Sequence, residues 1–281
     1  MATENPNSNE VRPHSAAGMP QAGARTDANG NAVHNKILSA LPDREFDELR
    51  PHLEFVQLQY HRNIYESTEK IDYAGFLNRG MVSLVVSTKD GRSVEVGVVG
   101  REGCVGAPLA ADIDKSPYRA IVQIPGDGVR VRSEVLLNIL GSAPDLRLLL
   151  NRYAHVQGMQ VAQLAACNRL HEIEQRLARW MLMCQDRIDA DLLPMTHEFF
   201  AQMLGAGRPS VTLAAGALQK AGIIRYSRGK VTILNRKGLE DAACECYQVI
   251  KRFNGDCLTG HFPISTRGGN ELDGTTSCSK G

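Results

Sequence analysis

Arg208, Pro209, Ser210 and Thr212 open a helix-like run inside Met203 to Asn235, a stretch that also carries Lys220, Arg225, Arg228 and Lys230 and no acid. An arginine at the front of a helix matches the O6 and N7 acceptors of guanine with a bidentate bond, and hydroxyls serve bases or phosphates. Widened to Pro194 and Gly238, the segment adds Arg236 and Lys237 against the single acid Glu198, while the whole chain is nearly balanced at +1. Positive charge gathered at one end of a near-neutral molecule attracts a polyanion.

Other chemistries are poorly supplied. Seven cysteines, odd in number and scattered, fit reduced thiols better than a disulfide framework. Cys244 and Cys246 are two residues apart, and on the helix expected there they point about 200° apart. One metal then cannot easily take both, even with Cys257 as a third ligand, so no metal is assigned. His52, His61 and Cys104 are the residues to weigh for a haem ligand, and no spacing supports them. Cys104, set among Gly103, Val105 and Gly106, reads as a small packed residue rather than a redox switch. No cysteine precedes it to hold an N-terminal iron–sulfur cluster. His171-Glu172 lacks the second histidine of a zinc-protease motif, and no Ser/His/Asp, Cys/His or phosphate-loop grouping stands out. The expectation is a protein that is not an enzyme, with no catalytic residues and no cofactor.

The basic residues need elements to hold them. Thr196 is a good N-cap with Glu198 in the first turn, which starts a helix through Met203 or Leu204. Ala201 allows a second helix to cross closely, Gly205 takes the positive φ of a tight turn, and Val211 fills the contact. This is helix-turn-helix spacing. The second helix starts near Arg208-Pro209 and stops at Gly222. Next, "IIRYS" and "KVTIL" joined by "RG" predict a β-hairpin, or wing, with Arg225, Arg228 and Lys230 on or near its tip. Bases there suit phosphates, while Arg208, Ser210 and Thr212 face base edges.

Upstream, residues 1–32 are rich in Asn, Ala, Gly and Pro, have no apolar run and read as a disordered arm with no signal peptide. Two short helices follow around Pro42. From Leu53 to Arg132, short β-rich runs ("LEFVQL", "YAGFL", "MVSLVVS", "SVEVGVV", "YRAIVQI", "GVRVR") alternate with turn signals at Asn78-Arg79-Gly80, Lys89-Asp90-Gly91 and Pro125 to Gly128. Such strands suggest an antiparallel barrel or jelly roll. From Pro144 to about Asp189 neither proline nor a turn cluster interrupts, and Leu149, Tyr153, Val156, Gln160, Gln163, Cys167 and Leu170 follow a 4,3 spacing. That predicts a long helix paired across a twofold axis, the alternative being a kinked helix on its own barrel.

A strand-rich domain, a long helix and then "THEFFAQMLGAGRPSVTLAAGALQKAGIIRYSRGKVTIL" resemble the Crp/Fnr family of bacterial transcription regulators over most of Val33 to Phe253. The resemblance implies an α+β chain: an N-terminal antiparallel double-stranded β-helix (jelly roll), a long dimerisation helix and a C-terminal winged helix-turn-helix. The corresponding divisions are an arm at 1–32, a cyclic-nucleotide-binding-like sensor at 33–143, a dimerisation helix at 144–190, the DNA-binding domain at 191–253 and a flexible tail at 254–281. It implies a cytoplasmic homodimer that binds palindromic double-stranded DNA through Thr196, Arg208, Ser210, Thr212, Arg225, Arg228 and Lys230, contacts RNA polymerase and has no membrane partner.

Nucleotide-responsive members bind the cyclic phosphate with a Gly-rich turn and an arginine followed by Ser or Thr, and the ribose with an acid. In "REGCVGAPLAADIDKSPYRAIVQ" Gly103, Gly106 and Arg119 match, but Ala107 stands at the acid position and Ala120 at the hydroxyl position. A buried sugar hydroxyl without its acceptor costs about 1 to 3 kcal/mol. Independence of cyclic AMP is therefore expected. The alternative is a ligand-binding regulatory module that does not act on DNA, which the basic winged helix argues against.

Overall fold

The computed structural model describes residues 25–188, 191–193 and 195–256. In chain order these form α1 (Lys36–Ser39), α2 (Asp43–Leu49), β1 (Glu54–Leu58), β2 (Asn63–Tyr65), β3 (Tyr73–Ser87), β4 (Ser93–Val99), β5 (Arg119–Arg132), α3 (Ser133–Ile139), α4 (Pro144–Leu170), α5 (Ile173–Ile188), β6 (Leu192–Leu193), α6 (His197–Leu204), α7 (Arg208–Lys220), β7 (Ile224–Ser227), β8 (Lys230–Ile233), α8 (Arg236–Ala242) and α9 (Cys246–Asp256). The α+β expectation holds.

Residues 25–32, expected in a disordered arm, are folded. Asp27 is fully buried, and its Oδ1 accepts from the N–H groups of Asn29 and Asn31 at 2.9 and 2.8 Å, closing an Asx turn. Arg25 lies 4.6 Å over the Phe46 ring, fastening this turn to α2. Local side-chain hydrogen bonds, invisible to composition, make the difference. The rest of the arm, and the tail from residue 257, lie outside the described residues; Asn254, where the tail was expected to start, is inside α9.

The first sheet is antiparallel, in the order β1-β5-β3-β4 with β2 also on β5. Two of the expected turns are bends within strands. β3 runs unbroken through Asn78-Arg79-Gly80, and β5 through Pro125 to Gly128, with register shifts where the two face each other. A Cβ at Gly80 would lie 2.7 Å from the Ile124 carbonyl oxygen, and one at Gly126 would lie 2.2 Å from that of Arg79. Glycine lets two sharply bent strands touch backbone to backbone, so a glycine cluster read as a turn is here a pair of opposed bulges. Arg79 closes the corner with Nε 2.9 Å from Asp127 Oδ2.

The single helix expected over 144–190 is two. His171 takes extended φ, ψ of −112° and 147°, and Gln175 Oε1 accepts the Glu172 N–H at 3.2 Å to start α5. Five of the residues expected to form a twofold seam (Leu149, Tyr153, Val156, Gln160 and Cys167) are instead buried against their own chain, while Leu170 is exposed. A 4,3 stripe reports which face of a helix is covered, not by what. The alternative of a kinked helix on its own barrel is the arrangement seen within the chain.

α5 belongs to two bodies at once. Leu177, Trp180, Met181 and Cys184 share a core with Met81, Val85 and Val98 of the sheet and with Phe200, Val211 and Leu218 of the C-terminal domain. Buried Glu95 on β4 accepts from Ser83 Oγ at 2.6 Å and from Trp180 Nε1 at 2.7 Å. Arg187 at the far end of α5 meets Glu102 at 2.7 Å, also buried. Burial pushes the Glu95 carboxyl up to about 7.

Candidate nucleic-acid interface

Thr196 caps α6, its side chain accepting from the Phe199 N–H at 3.2 Å. Gly205 ends the helix at φ 56°, and Ala201 and Val211 are buried where α6 and α7 cross. Gly207 is the N-cap of α7, with Pro209 in its first turn, as the sequence predicts. Val211, Ala214, Ala215 and Leu218 face inward, so Arg208, Ser210, Thr212 and Leu213 are presented outward from the front of the helix. Leu213 is 76% exposed, an apolar group facing outward from the helix.

The outward residues are not equally free. Thr212 Oγ1 donates to the Arg208 carbonyl at 3.0 Å and lies 3.2 Å from His197 Nδ1. With the hydroxyl proton spent on that carbonyl, Nδ1 of His197 is the donor in the second contact. His197 also stacks on Tyr226 of β7 at 3.9 Å, and its burial, with Arg208 nearby, holds its pKa below the usual value. A neutral imidazole thus clasps α6, α7 and the wing together. Arg208 sits 3.8 Å from Glu198, an exposed pair worth little, so the guanidinium is available to a stronger partner. It stands at the rim of a cleft of about 860 Å³ between the helix-turn-helix and the β3–β4 hairpin, which also carries Arg92.

The wing is β7 paired to β8, with Ser227 opposite Lys230. Its two-residue tip, Arg228 at φ 47° and Gly229 at φ 75°, has both residues left-handed, as a type I′ hairpin requires. Gln219 at the end of α7 accepts the Tyr226 N–H at 2.7 Å, locking the wing to the helix. Lys220, Arg225, Arg228 and Lys230 are exposed and pair with no acid among the described residues. Arg236 and Lys237 differ: the first is held by Asp186 and Glu240, the second by Asp241. His197, Gln219 and Tyr226, which brace the front of α7 and the wing, went unnoticed in the sequence because each works through a contact the chain order does not show.

The residues matched to an effector pocket are less coherent. A Cβ at Gly103 would lie 2.1 Å from Tyr153 Cζ, so this glycine makes room for the tyrosine of α4. Gly106, φ 91°, caps the 3-10 turn Ala107–Ala111, and Arg119 begins β5 with a buried Nε that has no hydrogen-bond partner among the described residues. Ala107 and Ala120 are buried. A cavity of about 250 Å³ in this domain is lined by residues such as Tyr65, Tyr73 and Phe76 and by none of Gly103, Gly106 and Arg119. Cys104 is fully buried and its thiol is pushed up, far from a reactive thiolate.

Residues 175–242 match the family model of the Crp-like helix-turn-helix domain. Among solved structures, FixK2 from Bradyrhizobium japonicum superposes with TM-score 0.60 at 17% identity, covering 68% of this chain and 98% of that one. The c-di-GMP-responsive global regulator CLP from Xanthomonas campestris gives 0.57 at 14% identity, with 68% and 99% covered. A CRP-family transcriptional regulator from Thermus thermophilus gives 0.56 at 20%, with 67% and 96% covered. No curated protein sequence matches the chain. The likeness to these structures is one of fold, and the helix-turn-helix carries a family match of its own.

Proposed function

From a Crp-like helix-turn-helix domain set in the Crp/Fnr fold, we propose that this protein is a transcription regulator. It binds double-stranded DNA sequence-specifically, as a homodimer on a palindrome, and does not require cyclic AMP. One observation carries the reading: the front of α7 projects Arg208, Ser210 and Leu213 beside a wing whose Arg225, Arg228 and Lys230 have no acid partner among the described residues. Arg208 reads guanine, Leu213 suits a thymine methyl, and the wing holds phosphates. Thr212, spent on Arg208 and His197, positions the helix more than it reads. Thr196 serves as the cap beside the wing tip, where a Cβ on Gly229 would meet it at 3.4 Å.

Dimerisation is assigned to the face of α4 that its own chain leaves uncovered. Leu148, His155, Ala162 and Arg169 recur at intervals of seven along it, with Gly158 and Ala165 between. Small residues let a second copy of the helix approach closely, and a twofold axis there sets two α7 helices about 34 Å apart. Ala107 and Ala120, both buried methyl groups, support independence of cyclic AMP because neither accepts from a ribose hydroxyl or donates to a phosphate. Contact with RNA polymerase belongs to the same reading, as does action in the cytoplasm; no helix of the described residues is long and apolar enough to cross a membrane. Fluorescence anisotropy at fixed salt, comparing a selected site with a scrambled one, tests the proposal. A ratio of about 10³ or more supports specific reading, and equal affinities refute it.

A further inference from the structure

Three cysteines and a histidine that play no part in DNA reading converge at the joint between α4 and the C-terminal domain. Cys167 lies in the last turn of α4 and His171 is the residue at which that helix ends. Cys244 lies in the link between α8 and α9, and Cys246 is the first residue of α9. The sequence expectation that Cys244 and Cys246 share a helix and point apart is thereby overturned, and Cys257, named there as a third ligand, lies outside the described residues. One ligand atom from each of the four, Cys167, His171, Cys244 and Cys246, lies within 4.8 Å of every other.

We propose that Cys167, His171, Cys244 and Cys246 bind one zinc ion in a closed, structural Cys₃His site. Two of the separations are close to those a single ion imposes, and the rest lie within 4.8 Å. With Zn–S of about 2.3 Å and Zn–N of about 2.0 to 2.1 Å, a tetrahedron places sulfurs about 3.8 Å apart and nitrogen about 3.6 Å from sulfur. Cys167 Sγ to Cys244 Sγ is 3.5 Å, and Cys246 Sγ to His171 Nδ1 is 3.6 Å. A cluster of two or four irons spreads its thiolates more widely than this. All three sulfurs are buried.

The surroundings are those of a metal site as well. His171 turns Nδ1 to the sulfurs while Nε2 lies 3.3 Å from the Glu245 carboxylate, the outer partner that fixes a ligating imidazole. Gln163 Nε2 donates to Cys246 Sγ at 3.0 Å. Arg179, buried with its Nε unpartnered among the described residues, supplies positive charge beside three thiolates that leave a bound Zn²⁺ with a net charge of −1. Binding releases one proton from each thiol, so affinity falls as pH falls. Four protein ligands leave no open position for substrate; the ion bolts the α4–α5 break to the α8–α9 link and fixes how the reading domain sits on the long helix.

The test uses the full chain purified under reductant. Metal analysis should find about one zinc per chain, and Co²⁺ in its place should show thiolate charge-transfer and tetrahedral d–d absorption. Cys246→Ala and His171→Ala should each weaken zinc binding by about 100-fold or more, Cys246→His should restore much of it, and Cys104→Ala should leave it unchanged. Chelation should lower the Tm of the wild type and not of Cys246→Ala. Failure of the wild type to retain or take up zinc, an octahedral cobalt spectrum, or a Cys167–Cys244 disulfide in freshly alkylated protein would each overturn the site. Because the cobalt spectrum is read on the wild type, the proposal stays testable if a variant misfolds.

Discussion

At the level of single residues, the proposed interface divides into groups assigned to reading bases and groups assigned to holding phosphates. Arg208→Ala should relax preference at one base pair of each half-site and cost about 1 to 3 kcal/mol, measured by competition among single-base variants of the site. Arg228 calls for a different substitution. Its φ of 47° belongs to the turn, so Arg228→Asn removes the charge and keeps a residue that tolerates left-handed backbone. Affinity for all sequences should drop alike, and the slope of log K against log salt should shrink by about one ion; a sequence-selective loss would make the wing a base reader. The outward placement of Arg208, Ser210 and the wing bases was legible in the sequence because helix caps, glycine turns and charge are local signals. The demotion of Thr212 was not, since it depends on His197, fifteen positions away in sequence.

At the level of elements, α5 packs on both the sheet and the C-terminal domain, and buried Glu95 lies at that joint. Burial holds Glu95 at about 7 against an ordinary 4.5, so the folded state disfavours its charge. The unfolded chain ionises first, and stability falls as pH rises from about 4.5 to 7, by on the order of 3 kcal/mol. Glu95→Gln keeps an acceptor for Trp180 and should flatten that part of the stability profile, raising stability at pH 8; urea titrations across pH check this. An unchanged profile would mean that the carboxyl is not held neutral. Elements whose cause is local were legible: α6 from Thr196 and Gly205, the wing from Arg228-Gly229, α1 and α2 around Pro42. The α4–α5 break at His171 was not, because neither proline nor glycine marks it and it rests on contacts with α9 and the sheet. The opposed bulges of β3 and β5 were misread for a similar reason: Gly80 and Gly126 are explained by each other's backbone.

At the level of the whole molecule, the seam first read from the 4,3 stripe is buried inside one chain, and the opposite, exposed face of α4 is the one proposed to meet a second copy. Ala162→Glu places like charges across the proposed twofold and should weaken self-association by about tenfold or more, ~1.4 kcal/mol, in sedimentation equilibrium. Binding to a palindrome should fall with it while binding to an isolated half-site does not. Chemistry at one end of the chain and assembly in its middle then meet in one observable. The most direct test is to select bound fragments from a genomic DNA pool with the purified full chain, with and without cyclic AMP, and sequence them. The same palindrome, with half-sites about one turn of DNA apart, is expected in both samples. Enrichment of no sequence would contradict specific reading by α7, and enrichment only with the nucleotide would contradict the part assigned to Ala107 and Ala120.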